Sequence, residues 1–261
     1  MDFLFDIPLV LSGPLLVVIL VGISMLGLEW FRRTQLPHLR FGDTDAEYSA
    51  AMVASIMVFY GLATALTAVN VWETNVRVEE ITKQEASALA VLYRDVSAYP
   101  EPTRSTVRDE IRSYTNQIIH QSWPQMRQGR IPTEGVKSID QLQETLVGFE
   151  PVTESQKVLA LETLASFDRM MEARRLRLDS VERRLPGVMW MVIIVGAFIS
   201  LFSAYFFPVL DARVHRAQIG LLATFIALVI FMILALDRPY RGDLGLQPTP
   251  YEIVYEQLMA G

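Results

Sequence analysis

The sequence contains no cysteine, which excludes a disulfide framework, a thiolate metal site and a thiol nucleophile. Histidine is nearly as scarce. His38, His120 and His215 fall in separate segments with no second ligand three or four residues away, so they read as exposed loop or helix-surface residues and no metal is expected. No Walker-type glycine loop, Rossmann fingerprint, nucleophile elbow or zincin helix occurs, so an enzyme is disfavoured and no cofactor is expected. Excess basic charge is lacking too. A formal net charge of −6 excludes the concentrated positive surface that nucleic acid requires.

Charge is missing altogether from four long apolar runs: Pro8–Leu28, Ser49–Trp72, Val188–Leu210 and Ala217–Leu236. Each reaches the ~20 residues with which a helix crosses roughly 30 Å of hydrocarbon. One Arg or Asp at a helix centre costs about 2.5–3.5 kcal/mol on insertion scales, so four uncharged runs mark an integral membrane protein. The first run lacks a basic n-region and ends at Glu29-Trp30-Phe31-Arg32-Arg33, which reads as a retained helix rather than a signal peptide. The expected organisation is all-α: a transmembrane pair over 1–72, an extramembrane helical insert over 73–187, a second pair over 188–236 and a tail over 237–261.

Four spans place both termini and the insert on one side, and the loops Glu29–Tyr48 and Asp211–Arg216 on the other. Asp2, Asp6 and the Arg32/Arg33 pair favour the short loops as the inner side. Lys and Arg near the span ends favour the insert side, with 10 such residues against five.

Between Glu73 and Pro186 no strand-like alternation occurs, and helical periodicity bounded by proline recurs. The first insert helix runs from Glu73 to about Ala98 and stops before Tyr99-Pro100-Glu101-Pro102. A second runs from about Thr103 to Ser122, with Val107, Ile111, Tyr114 and Ile118 as its stripe, and ends at Trp123-Pro124. A third starts at Ser138 on a capping box with Gln141. The fourth starts on a box of Thr153 and Gln156 and continues to Leu185.

The fourth helix carries a seam of Ala160, Leu164, Phe167, Met171, Arg174, Leu178, Val181 and Leu185, in which Arg174 alone is polar. The first shows a stripe of Val78, Ile81, Glu85, Ala88, Leu92 and Val96, with Glu85 as intruder. The two charges lie at nearly equal distances along the chain from the second and third spans. The expectation is a structural ion pair of Glu85 with Arg174, within one subunit or between two, because a lone charge on an apolar face is costly. The competing reading is that one or both side chains reach water at the edge of the stripe. Glu79 and Glu80 fit a solvated helix face, and Asp237 and Asp243 fit interfacial acids better than a cation site.

In the second span Tyr60, Thr64, Thr67, Asn70 and Thr74 share one helix face, which continues as the apolar Ile56, Val53 and Met52. Repeated around a symmetric oligomer, that face makes a wet vestibule leading into a hydrophobic constriction. Packing glue between membrane helices is the alternative, and the stronger one on the residues alone; Gly61 with Ala65, and Gly196 with Ser200 and Ala204, carry the same small-residue spacing.

The run Glu79-Glu80-Ile81-Thr82-Lys83-Gln84-Glu85-Ala86-Ser87-Ala88-Leu89-Ala90-Val91-Leu92-Tyr93-Arg94 and the following Tyr99-Pro100-Glu101-Pro102 resemble a bacterial membrane family described as bestrophin-like. Trp72-Glu73, Ser122-Trp123-Pro124 and Leu236-Asp237-Arg238-Pro239-Tyr240-Arg241-Gly242 also match its pattern, so the resemblance covers nearly the whole chain. It implies a homopentameric anion channel of the bacterial inner membrane, lined at its neck by the second span, with termini and insert in the cytoplasm. The chain departs from that pattern in two places. The neck's triad of bulky apolar residues is not reproduced, with Ile56, Phe59 and the Met52/Val53 pair as stand-ins, and no acidic calcium clasp follows Gly242. The partners expected are the lipid bilayer, further copies of the chain and a permeant anion. The alternative function is a non-conducting scaffold or sensor whose insert recruits a protein. Secondary transport is weaker still, for want of inverted repeats, broken helices or mid-membrane charge.

Overall fold

The computed structural model describes residues 8–35, 43–207 and 211–260, and among them there is no strand. Nine α-helices occur among these residues: α1 (Leu9–Thr34), α2 (Asp43–Asp95), α3 (Thr103–Gln117), α4 (Trp123–Arg127), α5 (Gly135–Val147), α6 (Glu154–Ser180), α7 (Gly187–Tyr205), α8 (Ala212–Leu236) and α9 (Thr249–Val254). Four of them, α1, α2, α7 and α8, are long and apolar enough to cross a membrane. At 53 residues α2 is about 80 Å long, well beyond what a bilayer core requires. His38, Asp2, Asp6 and Leu210 lie outside the described residues.

The chain divides into two compact units. One draws on Met1–Glu73 and Arg184–Asp237, the other on Thr74–Arg183 and Arg238–Gly261, so α2 contributes residues to both.

In the first unit α8 is the central element, with Ile219, Ala223, Ile226, Ala227, Ile230 and Ile233 buried. Close approach of α1 depends on missing side chains. A Cβ on Gly13 would stand 3.0 Å from the Phe231 ring, and one on Gly220 would stand 3.1 Å from the Met25 methyl. Across the face of Gly27, Tyr205 of α7 donates its hydroxyl to the Ser24 carbonyl at 2.9 Å. The expected loop Asp211–Arg216 is corrected: Asp211 accepts from the Arg213 amide at 2.7 Å, and the helix begins at Ala212. His215 is consequently buried inside the bundle rather than surface-exposed. It accepts at Nδ1 from Arg32 (3.2 Å) and donates from Nε2 to the Ala204 carbonyl (3.3 Å). Arginine has only donors, which fixes this tautomer.

The second unit has a core of aromatic and aliphatic side chains, among them Leu89, Leu92, Val107, Ile111, Tyr114, Trp123, Met126 and Leu142. Residues that follow the fourth span complete it: Tyr240, Tyr251 and Met259 are fully enclosed. The Thr153 capping box forms as expected, with both reciprocal bonds to Gln156 present. Three helix boundaries differ from expectation. The fourth insert helix ends at Ser180 rather than Leu185, because the chain leaves the helix ahead of Pro186. A π-helical stretch over Ile118–Ser122 absorbs the approach to Pro124, so the helix carries on through Trp123-Pro124 to Arg127. The third insert helix starts at Gly135, and Ser138, inside it, donates to the Gln117 side chain at 2.9 Å rather than capping.

Candidate functional site

The polar face expected of the second span is divided in the folded chain. Val53 and Thr64 are buried, Ile56, Tyr60, Thr67 and Thr74 are half-buried, and Met52 and Asn70 are exposed. Tyr60 meets α7 with the edge of its ring, from which a Cβ on Gly196 would stand 2.6 Å. Val53 lines an apolar pocket with Met57, Ala204 and His215. The Thr64 and Thr67 hydroxyls donate to the carbonyls of Tyr60 and Ala63, both at 2.8 Å. These threonines are therefore satisfied within their own helix and need no water. The middle of the expected face packs on the chain's own helices.

What the chain leaves open is the adjoining face. At 100° per residue Met52, Phe59, Leu66, Asn70 and Arg77 fall within about 40° of one another. All five are exposed, Phe59 by 73 % and Leu66 by 63 %. Of the four spans, that of α2 is the least covered by its own chain, with 11 % of its apolar window buried against 33 % for α8.

The Gly196 contact has a measurable consequence. Gly196→Ala is expected to push Tyr60 aside and destabilise the first unit by about 1–3 kcal/mol, the usual effect of overpacking. Thermal unfolding in detergent checks this, and Tyr60→Ala in the same chain is expected to remove the effect.

In the second unit a carboxylate and a guanidinium are buried together. Glu85 of α2, with no exposed surface, accepts from Arg177 of α6 through both oxygens, at 2.5 Å and 3.1 Å. Tyr251 and Tyr114 donate to the same carboxylate at 2.9 Å and 3.3 Å. Burial works against the Arg177 charge, yet the Glu85 carboxylate beside it, with the two phenols, holds the guanidinium well above its ordinary range. Burial first, and then the Glu85 charge, push both tyrosines up, so they stay protonated donors.

Glu85 is thus paired as a buried charge should be, but with Arg177 in place of the expected Arg174. Arg174 is half-buried one helical turn away, with its Nε unbonded. The α2 stripe lies as expected, with Val78, Ile81, Glu85, Leu92 and Val96 buried. The α6 seam is borne out only in part: Phe167 is buried, as are Val181 and Leu185 beyond the helix end, while Ala160, Leu164, Met171, Arg174 and Leu178 are half-buried. A second buried line lies beside it, made of Thr163, Ser166, Met170, Ala173, Arg177 and Ser180. Hydrophobicity hid that line, because most of its members are small or polar. Their alternating spacing of three and four was the available signal.

Two sequence motifs far apart in the chain meet beside this pair. The Trp123 ring packs edge-on against Tyr240 at 5.5 Å and against Tyr251 at 5.8 Å, and its Nε1–H donates to the Leu246 carbonyl at 3.0 Å. Tyr240 also shares a 2.8 Å hydrogen bond with Ser180, next to Arg177 on α6. Among the described residues no group of three or more His, Asp or Glu side chains is placed to hold a metal ion.

Four apolar spanning helices and a charged helical unit define an integral membrane protein that exposes a sizeable folded part to water. The chain belongs to the bestrophin-like family, whose domain, described as Bestrophin-like, matches residues 18–251. That membership supports a bestrophin-type channel at the level of the family. No curated protein and no solved structure matches the chain.

Proposed function

We propose that the protein is an oligomeric channel that passes anions of the chloride class passively along a central axis lined by the second span. The observation that carries this reading is the open face of α2: the span least covered by its own chain carries an unbroken exposed line from Met52 through Phe59 and Leu66 to Asn70. Arranged around an axis, Phe59 and Leu66 supply bulky apolar rings, a constriction that gates by dewetting. Asn70, and Arg77 two turns further, supply a polar and then a positive approach. Ile56 and Thr74 flank this line, whereas Tyr60 and Thr64 stand behind it as packing. A ring of five is what the family resemblance implies, with the insert and termini in the cytoplasm. The lack of a basic residue within the spans does not oppose anions, since weakly hydrated ones cross apolar constrictions.

The experiment is planar-bilayer recording of the purified protein under a chloride gradient, with single cysteines placed in this cysteine-free chain. A chloride-selective current is expected, blocked by a charged thiol reagent in Phe59→Cys and Leu66→Cys and untouched in Thr64→Cys. Silence from intact oligomers would favour the scaffold reading instead. The insert has a surface for that role in Val152, Val158 and Leu161, exposed by 88 %, 64 % and 69 %.

A further inference from the structure

Between α1 and α7 runs a crevice of about 300 Å³, walled by Leu20, Ile23 and Trp30 on one side and Phe198 and Phe202 on the other, with Ile230 of α8 as part of its lining. We propose that this crevice is a binding site for one phospholipid, with an acyl chain in the slot and an anionic headgroup at the Arg33 end of α1.

Length is the first argument. From Leu20 to Trp30 the helix advances about 15 Å, which is half the hydrocarbon core and so the depth of one leaflet. Cross-section is the second. Spread over that length, the volume leaves about 20 Å² across, far too narrow for a helix about 10 Å in diameter. A single extended hydrocarbon chain fits inside the slot, whereas a helix of another subunit could only lie across its open side.

Wall chemistry gives the third argument. The polar atoms along the slot are already engaged: Ser24 donates to the Leu20 carbonyl at 2.7 Å, and Tyr205 donates to the Ser24 carbonyl at 2.9 Å. With those donors used, the slot suits an aliphatic chain rather than a polar ligand. The fourth argument lies at the end of the slot. Trp30 is 58 % exposed there, the amphipathic ring expected at a membrane interface. Arg33 follows one turn later on the same face. Its partner is Glu29 at 3.0 Å, in an exposed pair of the kind that contributes little, so a phosphate can share or replace it. Arg32, beside it in sequence, is held by His215 and adds positive charge.

The test uses the full chain in detergent, with bound lipid counted by native mass spectrometry and phosphatidylglycerol competed against phosphatidylcholine. The wild type is expected to keep one phospholipid per chain through repeated detergent washing, and to prefer phosphatidylglycerol. Ile23→Trp fills the slot from an exposed position and is expected to weaken retention about tenfold, the equivalent of roughly two buried methylenes. Leu26→Trp, on the same helix but outside the slot, is expected to change nothing. Arg33→Gln is expected to keep the lipid and to lower the phosphatidylglycerol preference about fivefold, the effect of one basic residue near the surface. The proposal is overturned if no lipid stays bound, if Leu26→Trp matches Ile23→Trp, or if Arg33→Gln leaves the preference unchanged. It is equally overturned if Ile23→Trp separates subunits without loss of lipid, which would make the slot a subunit contact. None of these outcomes depends on whether the protein conducts.

Discussion

Arg177→Ala is expected to destabilise the second unit by about 3–5 kcal/mol, because it leaves the Glu85 carboxylate buried without its counter-charge. The two tyrosine hydroxyls that remain on Glu85 donate hydrogen bonds but carry no positive charge. Glu85→Ala is expected to be comparably harmful, since it strands the guanidinium instead. Combining the two removes both charges and should recover a substantial part of the loss, the non-additivity that a coupled pair shows. A fourth chain, Arg174→Ala, separates this pairing from the one the sequence suggests. It is expected to lower stability by about 1 kcal/mol or less, the scale of a side chain outside such a pair. Thermal or denaturant unfolding of the four chains, followed by tryptophan fluorescence, gives the ranking. If the double variant is no more stable than the singles, or Arg174→Ala matches Arg177→Ala, the pair does not carry the unit.

The second large effect belongs to Trp123. Trp123→Ala is expected to reduce stability by about 3–5 kcal/mol, as truncation of an enclosed aromatic does. Its consequence is local as well as global, because this indole touches Tyr240 and Tyr251 and donates to the Leu246 carbonyl. The segment after the fourth span should therefore open first. Trypsin is expected to cut after Arg241 many times faster in the variant, because cleavage of a locally opened segment follows its opening free energy. Trp123→Phe keeps most of the packing and loses only the hydrogen bond, a change of about 1 kcal/mol. Its cleavage should stay close to the wild-type rate. Equal cleavage in the alanine variant and the wild type would show that Trp123 does not anchor the segment.

How far the sequence could be read differs from element to element, for physical reasons. The spans were legible because exclusion of charge over twenty residues is a coarse demand that no packing detail can disguise. The Thr153 start was legible because a capping box closes within four residues. Glu85 was legible as a charge in need of a partner, since it interrupts an apolar stripe. Its partner was not, because Arg177 lies on a line of small and polar residues that carries no hydropathy signal. In the second span Thr64 and Thr67 look polar in sequence, yet each donates its hydroxyl to its own helix, so polarity alone does not tell which side of the span meets water. Pro124 was read as a stop because the π-helical stretch ahead of it cannot be seen from composition. The motif around Tyr240 stood out by its pattern alone, and its task became visible only where it meets Trp123.

The enclosure of Tyr240, Tyr251 and Met259 in the second unit bears on how the protein is made. The stretch from Thr74 to Arg183 emerges from the ribosome early, but pieces of its interior arrive only with residues 240–259, after the fourth span. Glu85 must wait for the Tyr251 hydroxyl until both later spans have entered the bilayer. During that interval the nascent chain presents unfilled apolar surface to the water side, and the insertion machinery or a chaperone must shield it until that later segment has been made.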